Sequence, residues 1–75
     1  MTRSEALDIV HNLQNSVPPK LDNGEFYEKK RCFVKALGSK RDPSWSNCRE
    51  HAGYAIDAGM LPEQVVSIAY LVFGP

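Results

Sequence analysis

Cys48-Arg49-Glu50-His51 is the stretch of this 75-residue chain in which residue types and spacing come nearest to chemistry. At positions i and i+3 of a helix a thiol and an imidazole share a face, the arrangement of a nucleophile with its base or of two metal ligands. With Cys32 and His11 the chain holds two Cys and two His, the inventory of a zinc site. The spacing points away from one. Neither CxxC nor HxxxH is present, and the four side chains fall on three separate helices. A catalytic pair also needs an orienting third group and an oxyanion donor. A substrate cavity of roughly 300–1,000 Å³ would take a large share of so small a core. The expectation is a non-enzymatic chain without metal or cofactor, with Cys48 a small core residue and His51 a surface or edge residue. Phosphate-binding glycine loops, paired-carboxylate signatures and calcium loops are absent from the sequence.

Charge is the second feature. Lys29, Lys30, Arg31, Lys35, Lys40 and Arg41 are six of the nine basic residues, and no acid lies between positions 29 and 41. The remainder holds three basic and nine acidic residues, a charge of −6 behind a neutral total. A basic face on the outer side of the second helix and its following loop is expected, with Trp45 close behind in Asp-Pro-Ser-Trp-Ser. Basic groups beside an aromatic bind nucleic acid by phosphate pairing and stacking. They equally dock on an acidic protein surface, where Arg and Trp are favoured anchors. The proposed contacts are Lys30, Arg31, Lys35, Lys40, Arg41 and Trp45.

The third feature is a helix-turn-helix spacing between His51 and Tyr70. The pattern asks for a small residue, a glycine four later and an apolar residue six beyond that. Ala55, Gly59 and Val65 meet it, with Ile68 as a further core position. A recognition helix must reach bases and phosphates with Arg, Lys, Asn or Gln. The last helix carries no Lys or Arg, and Glu63 repels phosphate. A tight helical corner without DNA is the simpler expectation.

The elements that position these groups are four short helices. The first starts at Thr2 or Ser4, Ser4 being a good cap. It carries the stripe Ala6, Val10, Leu13 and Val17 with Ile9 beside it, and Pro18-Pro19 ends it. The second is capped by Asp22 or Asn23, runs Phe26, Phe33 and Leu37 inward with Lys30 at the edge, and stops at Gly38. Tyr27, Val34 and Ala36 widen its stripe, while Glu28, Arg31 and Lys35 face away. The third is capped by Ser46 or Asn47 with Glu50 as support, and lays Cys48, Ala52, Ala55 and Gly59 along one side with Ile56 adjacent. The fourth spans Leu61 to Pro75. Pro62 suits its first position, Glu63 its positive end, and Gly74-Pro75 its stop, with Gly74 taking a left-handed cap. It is apolar nearly all round, leaving Glu63, Gln64, Ser67 and Tyr70 for water, so it is expected to be either the central core helix or a core helix that also docks on a partner. The fold class is all-α: a single small compact domain over residues 1–75 with a helix-turn-helix-like corner between the last two helices.

Met1 to Asp8 lacks the apolar segment of a secretory signal, and the longest apolar run, Ile68 to Phe73, is too short to span a bilayer. The expectation is a cytoplasmic protein without membrane association and with reduced thiols, the sequence alone leaving a Cys32–Cys48 disulfide open. In function it is expected to be a small stand-alone regulator or inhibitor of bacterial or bacteriophage type. It would bind a larger protein machine at an acidic patch through the basic, Trp-flanked surface, and so occlude or displace a partner. The alternative is a helix-turn-helix DNA-binding transcriptional regulator. A homodimer packed through the surplus apolar surface of the last helix is a third class.

Overall fold

Four helices form where caps and breakers ask for them: α1 (Arg3–Asn15), α2 (Asn23–Ala36), α3 (Cys48–Asp57) and α4 (Pro62–Phe73). The computed structural model describes residues 1–16, 23–38 and 48–74, and these contain no strand. The expected caps at Asp22, Ser46 and Asn47, the Asn23 side chain, Val17 and the Pro18-Pro19 stop lie outside what is described.

Thr2, not Ser4, caps α1. Its backbone is extended and its hydroxyl accepts from the Glu5 N–H at 3.1 Å. Ser4 already lies within the first turn and has no such role. The corner between α3 and α4 is a Schellman turn: the Met60 N–H reaches the Ala55 carbonyl and the Gly59 N–H the Ile56 carbonyl, both at 3.0 Å. This turn requires Gly59 at φ +117°, a conformation side chains disfavour. Gly59→Ala should therefore lower stability by about 1–2 kcal/mol, a Tm fall of roughly 5–15 °C in a thermal melt. Pro62 then opens α4, and the Gln64 side chain turns back to accept from the Leu61 N–H at 3.1 Å. Gly38 takes the left-handed cap of α2 at φ +70°. Gly74 does not follow the same rule. Its φ of −68° and ψ of 163° are extended, and its N–H simply donates to the Tyr70 carbonyl at 2.9 Å.

α4 touches all three other helices, and so does α3. Among the described residues α1 and α2 do not meet; each packs on the α3–α4 pair instead. The core gathers Leu7, Val10, Phe33, Leu37, Cys48, Ala52, Val65, Ala69 and Phe73. Phe33 and Phe73 are its aromatic centre, with ring centroids 5.4 Å apart. The buried side of α1 is Ala6, Leu7, Val10 and Gln14, rotated from the expected stripe, so that Leu13 and Ile9 are only half-buried. Leu7 is drawn in because α1 must cover α3 and α4 at once, which takes a wider face than a single i, i+4 row. The Arg3 guanidinium makes a paired contact with Asp57, at 2.9 and 3.1 Å, across Gly53. A Cβ at Gly53 would sit 2.8 Å from that guanidinium. A backbone hydrogen bond in the first turn of α4, then the Met1 ammonium at 3.1 Å, hold the Glu63 carboxyl below the usual carboxylate range.

Candidate interaction surface

α2 buries one side on α3 and α4 and offers the other to solvent, and the spacing of its residues sorts the outer side into two ridges. Tyr27, Arg31 and Lys35 recur every four residues and are all exposed. The Tyr27 ring is not loose: its centroid lies 6.4 Å from that of Phe26, and the Lys30 ammonium lies 5.6 Å from it. Tyrosine and arginine are among the residue types that carry most binding energy at protein interfaces. Helical periodicity places Tyr27 at the edge of the inner stripe. The structure leaves it 46% exposed at the start of the basic ridge.

Lys30 corrects the expected basic face. It is only 6% exposed, and its ammonium sits 4.3 Å above the Phe26 ring. A long aliphatic stem covers apolar surface while the cation rests on a ring, so the side chain belongs to the packing and does not face outward with Arg31 and Lys35. Lys40, Arg41 and Trp45 lie outside the described residues.

The second ridge borders α4. Glu25, Glu28, Lys29 and Cys32 line an open groove of about 430 Å³ together with Leu71 and Val72. Leu71 was expected among the core residues of α4, yet it is 85% exposed. The seven apolar residues of this helix exceed what three neighbours can cover, and Leu71 falls on the side that none of them reaches.

The groups with catalytic or ligating chemistry are dispersed. His11 is exposed and shares a 3.0 Å hydrogen bond with Asn15, and Cys32 is exposed. Cys48 is fully buried, and burial pushes its thiol up to about 11 against the opposing pull of the Lys30 charge, so it is a neutral thiol at pH 7. His51 was expected at the surface or an edge, but α3 turns it inward. It is 2% exposed, with its ring edge-on to Tyr54 at 5.9 Å. Among the described residues no three His, Cys, Asp or Glu lie close enough to share a metal ion.

A cleft of about 420 Å³ between α1 and α3 is lined by Arg3, Leu7, Arg49, Glu50, Gly53 and Tyr54. Its polar groups answer one another: Arg3 holds Asp57, Arg49 reaches Asp8 at 3.4 Å, and the Tyr54 hydroxyl donates to Glu50. The exposed side of α4 presents Glu63, Gln64, Ser67, Tyr70 and Leu71, without a cation to meet a phosphate. No described helix is long and apolar enough to cross a membrane.

No family model, no curated protein and no solved structure matches this chain.

Proposed function

We propose that this chain is a non-enzymatic helical binding module that docks on an acidic patch of a larger protein through the outer ridge of α2, and so occludes or displaces another partner. The observation that carries the reading is the ridge Tyr27–Arg31–Lys35. It stands exposed on a helix whose other side is buried, and its Arg31 and Lys35 belong to the stretch 29–41, which holds six of nine basic residues and no acid. Tyr and Arg are the preferred anchors of such contacts, and the summed charge steers an acidic partner towards them. The basic residues Lys40 and Arg41 and the aromatic Trp45 extend the same segment in sequence. A bacterial or bacteriophage regulator or inhibitor acting in the cytoplasm is the kind of protein this surface suits.

The test is charge reversal. Arg31→Glu/Arg41→Glu should lower affinity for the captured partner at least about thirtyfold, in keeping with the loss of an anchor. Far-UV circular dichroism should stay unchanged, because Arg31 is exposed. Unaltered affinity in this variant contradicts the reading.

One observation favours a second reading, a DNA-binding regulator. The Gly59 turn and buried Val65 match the spacing of a helix-turn-helix at the α3–α4 corner. Such a protein would retard a DNA duplex at low salt, with affinity falling steeply as salt rises. The chemistry of α4 opposes it, since the helix that would enter the groove has no Lys or Arg.

A further inference from the structure

The groove between α2 and α4 joins an uncovered apolar shoulder to an ordered pattern of charge. Leu71 supplies the shoulder, and Cys32 and Ala36 are small exposed residues along the adjoining side of α2. Small residues on a helix face let a second helix approach closely. Glu28 and Lys35 flank this face. They are seven residues apart, two helical turns or about 10 Å, so they project from the same flank. Among the described residues neither is in an ion pair.

We propose that this groove is the contact surface for a second copy of the chain, packed antiparallel about a two-fold axis that passes beside Cys32. The charge pattern selects this occupant. Acid towards the start of α2 and base towards its end, on one flank, are complementary to themselves when the helix is turned end for end. Each Glu28 then meets the partner's Lys35, and in antiparallel helix pairs like flanks face each other. In a parallel copy like flanks lie on opposite sides of the seam, so Glu28 and Lys35 would not meet and the pattern would go unused. The two Leu71 side chains close over the ends of the contact and lose their exposure to water. Cys32 lies within one residue of the midpoint between Glu28 and Lys35, which brings it opposite the partner's Cys32. The dimer leaves Tyr27 and Arg31 on the outside of both copies, so it adds to the docking ridge and does not depend on it. Lys35 borders both surfaces.

A standard interface takes about 800 Å² from each partner, near a sixth of the 4845 Å² surface of this chain. One face of a 14-residue helix and a leucine supply less, so the dimer should dissociate with a Kd on the order of 10–100 µM. Sedimentation equilibrium of the purified chain, from roughly 5 µM to 1 mM, reads this directly as a rise in mass from 8.4 kDa towards twice that value. Leu71→Glu should keep full helicity, because the residue is exposed, and hold the mass at 8.4 kDa over most of that range. Glu28→Lys and Lys35→Glu should each weaken association at least about tenfold, and the two together should restore it. A bis-maleimide should link the wild-type copies through Cys32, since Cys48 is buried. A chain that stays at 8.4 kDa throughout overturns the proposal, as does a dimer indifferent to the three substitutions. Either result leaves the Arg31 docking ridge to be judged by its own charge-reversal variant.

Discussion

Phe33→Ala should lower the urea midpoint of the chain by about one molar or more. Phe33 is the largest side chain with no exposure at all among the described residues, and it holds α2 on α4 through Phe73. Truncating a buried phenylalanine costs about 3–5 kcal/mol, from the lost transfer free energy and the cavity left behind. A chain of 75 residues has roughly 4–11 kcal/mol of stability in total. The substitution therefore removes about a quarter or more of the available stability and at the lower end all of it. The other three helices cannot compensate, because among the described residues α1 and α2 do not touch and α2 is held by the α3–α4 pair alone. Phe33→Leu keeps most of the volume and should cost less than about 1.5 kcal/mol. Urea titration followed by circular dichroism separates the two. A Phe33→Ala midpoint within a few tenths molar of wild type would mean that the aromatic pair is not the centre of the core.

Lys30 gives the second large effect, and its sign depends on the replacement. Lys30→Glu puts a carboxylate where a cation lies over the Phe26 ring and near buried Cys48. The ring face repels the anion, and the group has lost its water, so the substitution should destabilise by about 3 kcal/mol or more. Lys30→Met keeps the stem and removes the charge, and should lie within about 1 kcal/mol of wild type. If Lys30 instead worked as a surface contact, neither substitution would change stability by much and both would weaken partner binding. Thermal melts of the two variants decide between these roles. The account requires a deep loss for Glu and near neutrality for Met.

The contrast at Lys30 shows what the sequence could and could not convey. Helix number, helix order and the α3–α4 corner were legible because they rest on local chemistry: Pro62 at a helix start, Gly59 and Gly38 at left-handed ends. The side each helix buries is legible in part. α2 shows Phe33 and Leu37 inward as its periodicity demands, yet Lys30 joins them because two aromatic rings of the same helix offer its ammonium a seat. Charge alone had put it outside. α4 is apolar on every side, so its pattern does not say that Leu71 stands out in solvent. That depends on where α1, α2 and α3 are placed, which is a tertiary fact. The inward turn of His51 has the same origin, since α3 lies between α1 and α2 and has little surface left for water.

The docking ridge was half legible. Arg31 and Lys35 face away from the core, as charge and periodicity imply. Tyr27 was assigned to the inner stripe because aromatic residues are usually counted as core. Its spacing of four from Arg31 and eight from Lys35 was the signal that could have placed it with them.

Affinity capture from bacterial lysate, with and without nuclease and read by mass spectrometry, tests the central claim most directly when wild type is run beside Arg31→Glu/Arg41→Glu. The account predicts one protein partner retained by wild type in both samples and lost by the variant. Capture that collapses after nuclease treatment, or that survives the charge reversal unchanged, contradicts it.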